Sequence, residues 1–308
     1  MAGNQQNILL FTSQDIAIDV IDYFNSLSNI NLKVILHHET KEKLYGYRSA
    51  IKFCNENAIS FDLNVKFDQH FIENIKAFDP DFIFTFYFPR ILPPMILNLA
   101  PGRAFNVHPG ILPKYRGQYS IPYAILNGEP KIFLTLHKLN DSVDGGAIIF
   151  EEPIYIDDKI TSFQLYLKSM QVALKAIKNW FPKLQNGDYE EKQQVGFGSI
   201  YNRFQRNFHI NWHEHCDVLL SRFRVHNYPY LPAYSFIGNF CLYVLSAEIV
   251  KEIPRQDNSP SDLVLLDESK NIYVQAIDGI IKITKYDIYP PINSENLDLL
   301  IESSKRLD

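Results

Sequence analysis

The chain has 308 residues with 46% hydrophobic content, including 22 Phe and 18 Tyr, enough apolar mass for one large or two moderate domains. A formal net charge of −5 excludes general electrostatic attraction to nucleic acid. No run of about 20 apolar residues is present to span a bilayer, and the first residues, MAGNQQNILLFTSQD, lack the basic segment and long apolar run of a secretory leader. Three cysteines, Cys54, Cys216 and Cys241, have neither metal-ligand nor redox spacing, so they read as reduced thiols of a cytoplasmic protein.

In chain order, Asn7 to Thr12 is a short apolar run and predicts a buried strand. Asp15 to Phe24 follows with helical spacing, and Leu32 to Leu36 predicts a second strand. Helices are expected over Tyr47 to Asn57 and Phe71 to Phe78, and strands over Phe82 to Phe86 and Ala104 to His108. Alternating strands and helices point to an α/β fold with a doubly wound, mainly parallel sheet. Lys131 to Lys138 and Ala147 to Ile156 predict two more strands. Thr161 and Gln164 have capping-box spacing. Beyond them Phe163, Leu167, Met170, Leu174, Ile177, Phe181 and Leu184 make one apolar helical stripe. That helix is expected to pack on its own sheet, with Pro182 and Gly187 ending it. The polar stretch 186–199 (NGDYEEKQQVGFGS) is the expected boundary between a catalytic domain, 1–190, and a smaller β-rich domain, 200–308. In the latter, Tyr234 to Leu245, Ile272 to Ile277 and Ile280 to Ile283 are strand-like, and Asp278-Gly279 marks a hairpin turn.

The most informative residues are Asn106, His108 and Asp144. Positions i and i+2 of a strand share a face, so Asn106 and His108 can line one pocket. They lie at the carboxyl end of a predicted strand, where open α/β sheets bind ligands. Asp144 precedes Gly145-Gly146 in a turn after another strand. Together an amide, an imidazole and a carboxylate suit acyl transfer to an amine. Asn106 can donate to a developing oxyanion. His108 can take a proton from the amine or donate when charged. Asp144 can orient His108 or position a relay water. Taken singly, a strand histidine is more often structural, and an Asp before Gly-Gly is more often a turn residue.

The surrounding residues decide the matter. Asn106-Val107-His108-Pro109-Gly110-Ile111-Leu112-Pro113-Lys114-Tyr115-Arg116-Gly117, followed by Asp144-Gly145-Gly146, resembles the N10-formyltetrahydrofolate-dependent formyltransferase family. The resemblance is strongest over residues 80–150 and weaker across 1–190. It implies that Asn106, His108 and Asp144 are the catalytic groups. It also implies that the turn Phe88-Pro89-Arg90-Ile91-Leu92 and the loop holding Leu139, Asp141 and Val143 wall the folate site, using backbone groups to hold the pterin. His137 falls near the site as a supporting residue.

Three branches of the family differ in the amine they formylate. Glycinamide ribonucleotide formyltransferases cradle a phosphate on a glycine-rich loop after the first strand. Here that loop is Thr12-Ser13-Gln14-Asp15, without glycine and with a carboxylate. Methionyl-tRNA formyltransferases carry a C-terminal domain, faintly similar over 221–230. A tRNA partner calls for a basic surface, whereas residues 200–308 hold 11 Lys+Arg and 14 Asp+Glu. The chain looks most like the third branch, which formylates nucleotide-linked amino sugars, in particular dTDP-4-amino-4,6-dideoxyglucose. That likeness implies a role in bacterial surface polysaccharide synthesis and a homodimer through the C-terminal region. Such a substrate calls for cations and an aromatic surface. Candidates are Lys114 and Arg116, then Tyr201, Asn202, Arg203 and Arg206, with Trp212, Tyr228 and Tyr230 as stacking partners. His209, His213 and His215 lack a Cys or carboxylate framework, so no metal is expected. A hydrolase releasing formate from the same folate and a silent ligand-binding protein are the rivals.

Overall fold

The computed structural model describes residues 5–37, 48–205, 207–228, 231–250, 259–304 and 306–308. The chain divides into two compact units. One comprises residues 1–124, 130–155 and 166–203, the other 125–129, 156–165 and 204–308. The break after residue 203 falls beyond the polar stretch 186–199 read as the boundary.

The first unit is built on a seven-stranded sheet. Its strands are β1 (Gln6–Thr12), β2 (Ile30–Leu36), β3 (Phe61–Leu63), β4 (Phe82–Phe86), β5 (Ala104–Pro109), β7 (Lys131–Lys138) and β8 (Ile148–Tyr155). The short β6 (Tyr115–Arg116) and β9 (Ser199–Ile200) pair in parallel outside that sheet. The helices are α1 (Ile16–Asn25), α2 (Ala50–Glu56), α3 (Gln69–Phe78), α4 (Pro94–Leu97), α5 (Ser120–Leu126) and α6 (Ser162–Asn186). Strand order is β3-β2-β1-β4-β5-β7-β8. The first five strands of that order run parallel, and β7 is antiparallel to both β5 and β8. The predicted doubly wound, mainly parallel sheet is present. The chain winds outward from β1 to β3, then returns to β4 beside β1. Its topological switch point therefore lies between the carboxyl ends of β1 and β4.

The central strands read as continuous apolar runs because helices cover both their faces. Every residue of β4 is buried. Local signals fix the helix starts: Ser49 caps α2 by accepting from Lys52 N at 3.1 Å, and Asp68 caps α3 by accepting from Phe71 N at 3.0 Å. The helix expected from Tyr47 begins only at Ala50, and Tyr47 itself lies outside the described residues. β3, α4 and α5 escaped the sequence reading because each is too short to show a period.

The capping box at the start of α6 forms: Thr161 N donates to Gln164 Oε1 at 2.9 Å, and Gln164 N donates to Thr161 Oγ1 at 3.3 Å. Pro182 does not end this helix, which continues through it to Asn186 and stops at Gly187, where φ is +69°. The buried side is also rotated from the predicted stripe. Met170, Ala173, Ile177, Trp180, Phe181 and Leu184 are buried, whereas Leu167 and Leu174 are only half-buried. Phe181 meets Phe24, Phe82 and Phe84 edge-on, and Trp180 stacks on Phe150 at 5.6 Å. Each such ring contributes about 1.5–3 kcal/mol through burial.

The second unit contains α7 (Cys216–Val225), β10 (Ala233–Ile237), β11 (Phe240–Val250), β12 (Leu263–Leu266), β13 (Ile272–Gln275), β14 (Ile280–Tyr289) and α8 (Ser294–Ser303). Its sheet is wholly antiparallel, in the order β10-β11-β14-β13-β12. The expected Asp-Gly hairpin joins β13 to β14, with Gln275 opposite Ile280 and Ala276 N donating to Gly279 O. Asp278 caps α7 there, accepting from Cys216 N at 2.9 Å. Among the described residues no helix is long and apolar enough to cross a membrane.

Candidate active site

Strand register assembles the site before any side chain is considered. Thr85 of β4, Asn106 of β5 and His137 of β7 stand directly opposite one another across three strands. Two residue pairs further along, His108 stands opposite Thr135. Asn106 and His108, two apart on β5, share a face and both reach Asp144 in the β7–β8 loop.

Asn106 is held from both sides. Its Oδ1 accepts from Thr85 Oγ1 at 2.6 Å. Its Nδ2 donates to Asp144 Oδ1 and to His137 Nε2, both at 3.0 Å. The orientation follows from the far end of the row. His137 Nδ1 donates to its neighbour's carbonyl, Lys138 O, at 2.8 Å, so Nε2 is the accepting nitrogen and the amide group of Asn106 must face it. Both amide protons are thus engaged. Stabilising an oxyanion requires Asn106 to release the Asp144 oxygen or share that proton.

Asp144 is nearly buried, with a φ of +45° that a non-glycine residue rarely adopts. Besides Asn106, its Oδ2 accepts from Gly117 N at 2.8 Å and lies 3.5 Å from His108 Nδ1. Burial raises the carboxyl, but His108, His137 and the Gly117 N–H together hold it well below the usual carboxylate range. His108, 5% exposed, shifts downward from the usual imidazole value. Burial is the largest cause, His137 adds to it, and Asp144 and the Tyr115 carbonyl oppose it. Neutral His108 therefore faces ionised Asp144 at neutral pH. His108 Nε2 donates to Tyr115 O at 2.6 Å, which leaves Nδ1, the nitrogen beside Asp144, as the position that takes a proton. The imidazolium so formed would gain the Asp144 ion pair.

Glycines make this geometry sterically accessible. A Cβ at Gly110 would overlap His108 Nε2 and the Tyr115 carbonyl, and one at Gly146 would overlap the Lys138 carbonyl. These close approaches are the physical content of the Pro-Gly and Gly-Gly punctuation in the sequence.

The residues of the expected folate wall differ in exposure. Ile91 is 61% exposed, but Leu92 is 2% exposed and belongs to the core with Leu9, Phe11 and Ile83. Leu92 thus anchors the turn through its side chain, which leaves its backbone groups for the contact expected of it. Phe88 packs edge-on against Phe11 at 5.2 Å and Leu139 against the same core. The Arg90 guanidinium lies 4.1 Å over the Phe67 ring and donates to Val65 O at 2.6 Å, so it braces the turn instead of standing free. Asp141 is exposed and Val143 half-buried. At the switch point, Ser13 Oγ donates to Tyr87 O and ties the ends of β1 and β4 together. Asp15 takes the Arg48 N–H at 2.5 Å.

Among the substrate candidates, Lys114, Asn202 and Arg203 are exposed. Arg116 is bonded to Gln194 Oε1 through Nε and Nη2. Tyr201 lies flat between Tyr123 at 4.1 Å and Tyr115 at 5.5 Å. Trp212 is not a stacking partner. It is 2% exposed in the core of the second unit, and its Nε1 donates to Ser235 Oγ at 3.1 Å. Aromatic type alone could not separate it from a surface ring. Tyr228 is exposed and donates to Asp287 Oδ2. Arg206 and Tyr230 lie outside the described residues. Sequence reading missed Thr85, the Gly117 N–H and Gln194. The first could have been found from strand register, but the last carries no local signal.

The model of the formyl transferase family matches residues 10–179, more than half of the chain, and the chain belongs to that family. Solved structures share its fold. WlaRD, a sugar 3N-formyl transferase crystallised with dTDP and 5-N-formyl-THF, aligns with a TM-score of 0.72 at 21% identity, covering 94% of this chain and 100% of its own. An N-formyltransferase from Helicobacter canadensis, in complex with folinic acid and dTDP-3-aminofucose, aligns with a TM-score of 0.72 at 20% identity, covering 92% and 100%. HypX from Aquifex aeolicus, in complex with tetrahydrofolic acid, aligns at 0.61 and 15% identity, covering 97% of this chain and 48% of its own.

Proposed function

We propose that this formyl transferase moves a formyl group from N10-formyltetrahydrofolate to the amine of a dTDP-linked amino sugar. The observation that carries the formyl-transfer chemistry is the joining of Asn106, His108 and Asp144 around one carboxylate. The sugar branch is supported by the fold likeness to two sugar N-formyltransferases over nearly the whole of both chains. It is also supported by the loop after β1, Thr12 to Asp15, which has no glycine to cradle a phosphate and carries a carboxylate bonded to the Arg48 N–H. An acidic C-terminal region disfavours tRNA.

In this reading the sugar amine attacks the formyl carbon, and negative charge grows on the formyl oxygen. Asn106 Nδ2 turns a proton toward that oxygen, an effect worth about 3–4 kcal/mol elsewhere. The amine proton passes to His108 Nδ1, directly or through a water held by Asp144. Collapse breaks the bond between the formyl carbon and folate N10, which takes up the proton held by His108 and so returns the imidazole to its neutral form. Phe88, Arg90, Ile91, Leu92, Leu139, Asp141 and Val143 wall the folate site, with backbone groups holding the pterin. Lys114, Arg116, Tyr201, Asn202 and Arg203 face the nucleotide-sugar. The acceptor is read as dTDP-4-amino-4,6-dideoxyglucose, its product as a surface-polysaccharide precursor, and the working form as a cytoplasmic homodimer.

The test is incubation with the formyl donor and a panel of dTDP-sugars bearing the amine at C3 or C4. A product heavier by one formyl group is expected from one of them. Turnover only with glycinamide ribonucleotide or methionyl-tRNA, or formate release without an acceptor, would sink the sugar reading.

A further inference from the structure

We propose that Gln194 is a positioning residue that sets Asp144 for proton transfer by clamping the backbone of its turn. The role rests on the reading of Asp144 given above.

The Gln194 amide is divided between two sets of partners. Its Nε2 donates to the carbonyls of Asp144 and Gly146, both at 2.8 Å. Its Oε1 accepts from Arg116 Nη2 at 2.7 Å and Nε at 3.2 Å. A flipped amide would set donor against guanidinium and acceptor against two carbonyls, so the partners dictate the orientation. The turn needs such a clamp. Asp144 holds a left-handed φ of +45°, a strained conformation for a non-glycine residue that persists only where its surroundings enforce it. The Asn106 amide and the Gly117 N–H grip the carboxylate end of Asp144. Gln194 grips the main-chain end. With both ends held, Oδ2 stays beside His108 Nδ1.

The strap that carries Gln194 is itself anchored. Lys192 exchanges both backbone hydrogen bonds with Ile148 of β8, at 2.8 and 2.9 Å. Ser199 N donates to Lys114 O and Tyr201 N to Arg116 O. Of residues 193–198, Gln194 alone is half-buried, and the others are exposed. Its neighbours bulge outward, with Val195 84% and Phe197 102% exposed.

The test compares native protein with Gln194→Met, which keeps side-chain volume and removes both sets of bonds, and Gln194→Glu. The glutamate keeps an acceptor for Arg116 but faces two carbonyls with a carboxylate. The titration of His108 is followed by NMR on histidine-labelled protein, with H108A assigning its signal. The groups facing His108 are Asp144, His137 and the Tyr115 carbonyl. Loosening Asp144 removes the neighbour that raises His108, so its midpoint should fall in both variants, by roughly half a unit or more. With the preferred acceptor, kcat should fall about tenfold or more while KM changes little. An unchanged His108 midpoint in Gln194→Met would overturn the proposal. A native midpoint and kcat in Gln194→Glu would also overturn it, since Gln194 would then serve Arg116 alone. The titration needs no substrate, so it is judged separately from the acceptor panel.

Discussion

At the residue scale, one carboxylate organises the site. Asp144 takes hydrogen bonds from an amide and a backbone N–H and stands beside an imidazole whose other nitrogen is already committed. Removing either proton-handling group should leave the fold intact but stop the chemistry. Asp144→Asn and His108→Ala are each expected to lower kcat by about 10²–10⁴-fold, with unchanged circular dichroism and little change in folate affinity. Near-native rates in both would end the acid–base assignment. Because burial moves His108 downward, the acid limb of the kcat profile should lie below about pH 6.5. The same shift carries a stability consequence with a definite sign. The unfolded chain takes up the histidine proton first, so stability from this group is present above about pH 6.5 and is lost as pH falls below it. Urea midpoints of native protein and His108→Gln between pH 5 and 7.5 check this, the variant showing the flatter slope.

At the element scale, the geometry of the candidate site is a property of β4, β5, β7 and the β7–β8 loop. Register alone sets Thr85, Asn106 and His137 in one row, and a slip of β5 by one residue would turn Asn106 and His108 to the opposite face. The loop then closes on its own strand so tightly that only glycine fits at 146. Gly146→Ala should therefore cost about 1–3 kcal/mol, read as a lower urea midpoint. It should also impair turnover beyond the loss of folded protein, because the Asp144 turn must shift with it. A midpoint within error of native would show that the loop relaxes freely. Helix α6 supports this layer from beneath. Its passage through Pro182 shows tertiary packing overriding a local breaker, since Phe181 sits among Phe82 and Phe84 of β4 and Phe24 of α1.

At the scale of the molecule, the family match ends at residue 179, yet the site draws on the chain as far as Tyr201. The expected homodimer predicts twice the chain mass of 35.8 kDa in sedimentation equilibrium, and a monomer at assay concentrations would remove that part of the proposal. The alternating strands and helices, the capping box at Thr161 and Gln164, and the pairing of Asn106 with His108 on one strand face were all legible in the sequence. Each depends on local periodicity or a short motif, and such signals survive without tertiary context. The resemblance carried by N-x-H-P and D-G-G was legible for the same reason, because close backbone approach demands glycine at fixed positions. What lay beyond reach depends on contacts between distant residues. Whether Trp212 is core or surface, which side of α6 is buried, and that Leu92 points inward are decided by neighbours far along the chain. Gln194 is the clearest case. In the sequence it is one polar residue in a stretch that reads as a linker. Only the return of that stretch along β8 places its amide on the Asp144 turn, because hydrogen-bond partners roughly fifty residues apart leave no periodic mark.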